Sequence, residues 1–164
     1  MKILIPMAGE GSRFAKEGYT FPKPLIDVNG KPMIQLVTEN LDFISEYIFL
    51  VRKEHIHKYE GLVDTLQQIT NGSCKIVEVD GLTEGAACTA LLAKEHINVD
   101  EDLLIANSDQ FIEYQRGNFI SLKNLSNVDA IVWTFNSVHP KWSFVKTNSR
   151  GSIIEVAGKK PISD

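Results

Sequence analysis

Apolar residues follow two rhythms along the chain. Lys2 to Met7, Tyr47 to Val51, Cys74 to Val79 and Asp102 to Ala106 are short apolar runs bounded by turn residues, the pattern of strands buried on both faces. Between them the spacing lengthens to three and four. Met33, Ile34, Val37, Leu41 and Ile44 predict a helix with Pro32 as a first-turn residue. Ile56, Tyr59, Leu62, Val63, Leu66 and Ile69 predict a second helix, closed by Asn71-Gly72. Glu84 to Ile97, with Ala86, Ala87, Ala90 and Ala93 on it, reads as a third. Strands alternating with helices imply right-handed crossovers and a largely parallel sheet covered on both faces, a doubly wound α/β architecture in three layers, α/β/α. Ala130 to Phe135, Trp142 to Thr147 and Ser152 to Ala157 then read as three strands, the last two joined by the hairpin-type link Asn148-Ser149-Arg150-Gly151. The expected sheet is therefore mixed but mostly parallel.

At 164 residues the chain is expected to form a single domain, 1–164, with no internal repeat. Lys plus Arg number 17 against 21 for Asp plus Glu, a net charge of -4, so no basic excess tracks a nucleic-acid backbone. No run approaches the length of a membrane span, and the first strand is too short for a signal peptide, so a cytoplasmic location is expected. Cys74 and Cys88 lack a CxxC spacing and read as buried thiols.

Candidate chemistry gathers after strands. Met7-Ala8-Gly9-Glu10-Gly11-Ser12-Arg13-Phe14 follows the first, and its small residues let backbone NH groups approach a phosphate or a base, with the Arg13 fork able to grip phosphate oxygens. A tight strand-to-helix turn would look the same, and the run is neither GxGxxG nor a P-loop. The loop from 8 to 31 is long and carries Phe21-Pro22-Lys23-Pro24-Leu25, where two prolines restrict where one ammonium can point. That suits a phosphate contact or a rigid surface turn. Asn107-Ser108-Asp109-Gln110 places a carboxylate at a strand end, where it can hold Mg²⁺ against substrate phosphates or cap a turn. Lys159-Lys160-Pro161 is either an anion contact or a solvated basic turn. His55 and His57 would point to different faces of a helix, which disfavours a metal pair.

These segments, in this order, resemble the sugar-phosphate nucleotidyltransferases, the family that includes the nucleoside-diphosphate-sugar pyrophosphorylases. AGEGSRF resembles the AGxGxR loop, FPKPL the PKP segment, and GKPMI the opening of the first long helix. Gly81 to Ala87 is similar to the loop entering the helix that frames the base, and VAGKKP to the EKP segment. The resemblance implies a Rossmann-like enzyme that joins an NTP and a phosphorylated substrate, usually a sugar 1-phosphate, releasing pyrophosphate. It implies backbone contacts to base and phosphates from Met7, Ala8, Gly9, Glu10, Gly11 and Ser12. By the same resemblance Arg13 serves the departing pyrophosphate, Lys23 the α-phosphate, Asp109 the Mg²⁺ and Lys160 the acceptor phosphate. Gly85 would admit the base, and Asp80 or Glu84 would read its edge. The family also implies sugar-nucleotide supply for polysaccharide synthesis and allows a homo-oligomer.

Two departures stand out. The glutamate usual before KP is replaced, with Gly158 and Lys159 in its neighbourhood, and the chain stops at Asp164 where the family usually continues to a second metal-binding aspartate. The expectation is a C-terminally truncated nucleotidyltransferase, with a catalytically incomplete nucleotide-binding or regulatory module of the same fold as the alternative. A glycosyltransferase would need an Asp-x-Asp motif, and Asp109 is followed by Gln110 and Phe111.

Overall fold

A computed structural model describes residues 1–9 and 22–162, which form two compact units, Met1–Glu113 and Tyr114–Asp164. The first unit is built on four parallel strands, β1 (Lys2–Pro6), β4 (Glu46–Arg52), β5 (Cys74–Val79) and β6 (Leu103–Ile105), in the spatial order β5-β4-β1-β6. Its helices are α1 (Met33–Leu41), α2 (Lys53–Lys58), α3 (Leu62–Ile69), α4 (Ala86–Leu91) and α5 (Lys94–Ile97). Successive side chains of a strand face opposite ways, and the register sets Leu4 beside Ile48 and Ile105. Leu4, Ile48 and Leu50 thus share one face, where they pack with Ala8, Val79 and Ala93 and with half-buried Val77, Ala90 and Ile97. Ile3, Ile5, Tyr47, Phe49 and Val51 fill the other face, all buried, with the Tyr47 and Phe49 rings stacked at 5.9 Å. Apolar residues on both faces explain why these strands read as continuous runs rather than alternating ones.

Helix boundaries depart from the periodic reading at backbone features. Helix α1 stops at Leu41 because Asp42 turns left-handed (φ 49°), which leaves Ile44, expected on the buried face, in solvent. Pro32 is the residue capping α1 rather than part of its first turn, and it pairs in a short strand. The helix expected across Ile56 to Ile69 is broken by Gly61 at φ 80° into α2 and α3, while Asn71 (φ 51°) and Gly72 (φ 77°) close α3 as expected. The small-residue helix is likewise split between α4 and α5, and it starts at Ala86 rather than Glu84. Cys74 is half-buried and Cys88 exposed, so the second is not the buried thiol expected.

The segment from 22 to 31 is ordered rather than structureless. Lys23–Leu25 form a 3-10 turn, and β2 (Asp27–Val28) pairs with β3 (Lys31–Pro32) through Asn29 (φ 55°) and Gly30 (φ 84°), both left-handed as a type I′ hairpin demands. In the second unit α6 (Arg116–Lys123) precedes an antiparallel pair, β7 (Ser143–Thr147) with β8 (Ile153–Gly158). The Asn148 side chain closes their turn by accepting from the amides of Arg150 (2.9 Å) and Ser152 (3.0 Å). The antiparallel pairing lies in these two small ladders, outside the parallel sheet. Ala130 to Phe135, expected as a strand, pairs with no other strand among the described residues. Its Trp133 packs on Phe119 at a ring separation of 4.7 Å while Val132 and Phe135 face solvent. Phe135, which alternation would set on the same face as Trp133, is exposed, so the segment lacks both the ladder and the alternating burial of a strand.

Candidate functional site

The chain steps outward from β1 to β4 to β5, then returns to the opposite side of β1 as β6. The direction of winding reverses between β1 and β6, and in an open α/β sheet that reversal opens a crevice at the carboxyl ends of the two strands. Two segments meet there. The ladder runs one residue past each strand, with Met7 N donating to Leu50 O (3.0 Å) and Ala106 N to Leu4 O (3.0 Å). Met7 and Ala8 are buried, whereas Gly9 is exposed with nothing within 4 Å of where a Cβ would sit. The backbone is therefore accessible as it leaves β1. Glu10, Gly11, Ser12 and Arg13 lie outside the described residues.

Beyond β6, Ser108 is buried and Asn107 Nδ2 donates to Gln110 Oε1 (2.8 Å), a closed turn that carries Asp109 between them. Asp109 Oδ2 accepts a hydrogen bond from Lys23 Nζ, an ion pair joining residues 86 apart in sequence. Both side chains are about a quarter exposed, 26% for Lys23 and 28% for Asp109, so the pair is reachable from solvent. The backbone that presents Lys23 is held from both sides. Leu25 N donates to Pro22 O (2.8 Å), Ile26 N donates to Lys23 O (3.2 Å), and Pro24 is buried. The structure thus brings together the lysine between prolines and the strand-end aspartate, which the sequence displayed only separately.

A further brace was not visible in the sequence. Asn40, on α1, donates from Nδ2 to Ile112 O (2.9 Å) and accepts from Ile112 N at Oδ1 (2.8 Å). This two-point clamp ties the chain just past Asp109 to the first helix; a lone Asn in a helix carries no sequence signal for it.

The other expected residues are each placed on their own element. Asp80 follows β5, the far edge of the sheet from β6, and is exposed with Oδ1 4.0 Å from Lys53 Nζ. Glu84 is exposed. Gly85 caps α4 in extended backbone (φ 172°) with open space around its Cα, and α4 itself contacts β1. The loop before α4 is closed by hydroxyls missed in the sequence: Thr83 Oγ1 and Thr89 Oγ1 lie 2.5 Å apart, and both reach Gly85 O. Lys160 is exposed in the second unit, after Lys159, whose backbone is left-handed (φ 57°) and whose amide donates to Trp142 O (3.0 Å). His57 is exposed; His55 is half-buried, and burial, then the Arg52 charge, holds its pKa below the ordinary histidine value. Among the described residues no three His, Cys, Asp or Glu side chains cluster as a metal cage, and no helix is long and apolar enough to cross a membrane.

No protein-family model matches the chain. Among curated relatives, it is 30% identical over 123 residues to the bifunctional protein GlmU of Methanocaldococcus jannaschii, covering 75% of this chain and 28% of that one. It is 34% identical over 110 residues to the 2-aminoethylphosphonate cytidylyltransferase of Lancefieldella rimae, covering 57% and 45%. The chain therefore spans less than half the length of either relative. Among solved structures, the nucleoside-diphosphate-sugar pyrophosphorylase from Vibrio cholerae RC9 superposes with a TM-score of 0.75 at 30% identity, covering 99% of this chain and 68% of that one. Agreement in fold and sequence over nearly its whole length, on a sheet whose switch point carries the Lys23 and Asp109 pair, means that this chain belongs to the nucleoside-diphosphate-sugar pyrophosphorylase family of sugar-phosphate nucleotidyltransferases.

Proposed function

We propose that this chain is the nucleotidyltransferase part of an Mg²⁺-dependent enzyme that joins an NTP to a phosphorylated substrate, a sugar 1-phosphate in the first instance, with release of pyrophosphate. The observation that carries the reading is the Lys23 and Asp109 pair at the switch point, a cation and a carboxylate placed together where ligands of such sheets bind. In the reaction an oxygen of the acceptor phosphate attacks the α-phosphorus, the bond from that phosphorus to the bridging oxygen breaks, and pyrophosphate departs. Such a displacement asks for positioning and charge neutralisation rather than covalent help from the protein. Lys23 supplies positive charge to the α-phosphoryl group, and Arg13 to the leaving pyrophosphate. The backbone from Ala8 to Gly11 lies against base and phosphates, where exposed Gly9 leaves room. Lys160 holds the acceptor phosphate.

The donor set suits Mg²⁺. One accessible carboxylate on a braced loop is what a small hard cation needs when phosphates and waters complete its octahedron. Asp109 would hold it, and the bound ion would offset phosphate charge during the displacement. The similarity to a cytidylyltransferase of an aminoalkyl phosphonate extends the acceptor class to test beyond sugars.

Thermal stability of the chain with ATP, CTP, GTP, UTP and dTTP, each with and without Mg²⁺, tests binding: a ligand at about 100 times its Kd adds roughly 2.7 kcal/mol. A selective, Mg²⁺-dependent shift is expected with one triphosphate. Lys23→Ala should then abolish pyrophosphate release while the protein still melts cooperatively, and full activity in that variant would overturn its role. A nucleotide-binding module without turnover is the second reading, favoured by Lys159 in left-handed backbone where the resemblance calls for a glutamate. It predicts a triphosphate shift with no product from any phosphate or phosphonate acceptor.

A further inference from the structure

We infer that Lys23 and a divalent cation are alternative occupants of Asp109, so that Lys23 is exchanged from carboxylate to phosphate when metal and triphosphate arrive together. The inference rests on the nucleotidyltransferase reading. Lys23 Nζ hydrogen-bonds Asp109 Oδ2, the kind of carboxylate oxygen a Mg²⁺ ion takes at about 2.0–2.1 Å. An ammonium and a dication on one oxygen would stand almost in contact, and their repulsion in a partly buried site is severe. On that oxygen one gives way to the other.

The surroundings decide which part moves. Asp109 is carried on a turn closed by Asn107 and Gln110, next to buried Ser108 and the Asn40 clamp on Ile112. Lys23 is carried on a 3-10 turn between two prolines. Both backbones are braced, so the soft element is the four-carbon stem of Lys23, which can swing its charge without moving the chain. Without ligand, the pair leaves neither charge unpaired in a partly buried place. With metal on Asp109 the ammonium leaves that oxygen, and the triphosphate brings an anion for it.

The consequence is a coupling between metal and nucleotide with a definite sign. Metal alone has to displace Lys23 and so binds weakly; metal and triphosphate together each relieve the other's cost, and linkage makes that reciprocal. Removing Lys23 should therefore tighten Mn²⁺ binding in the absence of nucleotide while weakening triphosphate binding. A residue that merely contacts phosphate would not alter the affinity for metal alone.

The test is Mn²⁺ titration followed by water proton relaxation, which reports metal held on the protein and does not depend on activity. Lys23→Met should tighten Mn²⁺ alone by roughly tenfold, a factor equal to about 1.4 kcal/mol. Lys23→Arg, which keeps a cation beside Asp109, should stay at the wild-type affinity, and Lys23→Met combined with Asp109→Asn should lose the gain. An affinity for Mn²⁺ alone that is unchanged in Lys23→Met, or a gain that survives Asp109→Asn, would overturn the exchange. The same titration in the presence of CTP, UTP, GTP, ATP or dTTP separates the two levels. Protein-bound Mn²⁺ with a triphosphate but no gain in Lys23→Met refutes the exchange alone. No protein-bound Mn²⁺ in wild type with any of the five removes the nucleotidyltransferase reading and the exchange with it.

Discussion

Replacing Leu4 by Ala should weaken the fold and the proposed nucleotide loop together, whereas replacing its neighbour Ile5 should weaken only the fold. Both side chains are wholly buried in β1, but they point to opposite faces of the sheet. Leu4 packs in the cluster that includes Ala8, the second residue past the strand, together with Ile48, Leu50, Val79 and Ala93. Truncating a fully buried Leu or Ile to Ala costs about 3 kcal/mol once the residual cavity is included. For a chain of this size that corresponds to a fall in Tm of about 6–12 °C. Both variants should fall within a cost of about 2–5 kcal/mol, since both side chains are wholly buried. They part in binding: the Leu4→Ala cavity lies under Ala8 and lets the exit from β1 relax, so the triphosphate Kd should rise severalfold, while Ile5→Ala leaves it unchanged. Unfolding should be followed by far-UV circular dichroism, because Trp133 and Trp142 both lie in the second unit and their fluorescence would report on the wrong part. Equal loss of triphosphate affinity in both variants would refute the face-specific link between core and loop. A cost below about 1 kcal/mol for Leu4→Ala would refute the packing argument itself.

Gly85→Ala should leave stability within about 0.5 kcal/mol, because φ 172° is open to any residue and the added Cβ meets nothing within 4 Å; a large loss of triphosphate affinity in the same variant, by calorimetry, would be the mark of a base lying against that backbone. Gly61→Ala should cost about 1 kcal/mol or more in a melting experiment, since φ 80° between α2 and α3 is strained for any side chain. Glu46 accepts from Lys75 (3.2 Å) and pairs with Lys2 (3.4 Å); the Lys75 hydrogen bond, outweighing burial, lowers its pKa below the ordinary glutamate value. A depressed carboxylate pKa stabilises the fold above the unfolded-state value, and that contribution is lost as pH falls through the folded-state value. Glu46→Gln should accordingly melt lower than wild type at neutral pH and converge on it under acid, and a difference that does not change with pH would count against the ion pairs.

The parallel sheet was legible because strands buried on both faces leave continuous apolar runs, and β4 and β5 extend at most one residue beyond theirs. What the periodicity could not reveal was where helices break, since Asp42 and Gly61 act through backbone dihedrals and leave the apolar spacing intact. Ile44 keeps step with Met33 to Leu41 in sequence yet stands in solvent for that reason. The hairpin at Val28-Asn29-Gly30-Lys31 went unread inside the long loop, because strands of two residues are too short to register as alternation, although its Asn-Gly pair suits the turn. Ala130 to Phe135 shows the converse: β-favouring residues state a preference, and a partner strand decides.

The candidate site divides along the same line between local and non-local causes. Pro22 and Pro24 confine Lys23 by covalent stiffness, which any reader of the sequence can see, and a polar cluster ending an apolar run marks Asp109 almost as plainly. Their meeting depends on something neither segment contains, the return of the chain across β1 to form β6, which sets the end of β6 beside the end of β1. The brace is less local still, because Asn40 contributes through a clamp to Ile112, 72 residues away. A strand end can present a carboxylate in many folds. Here the reversal of winding, the clamp behind the loop and the paired prolines together leave Lys23 with a carboxylate at hydrogen-bond distance and only a flexible stem to move, and it is this combination, rather than any one motif, that gives the metal-exchange experiment its sign.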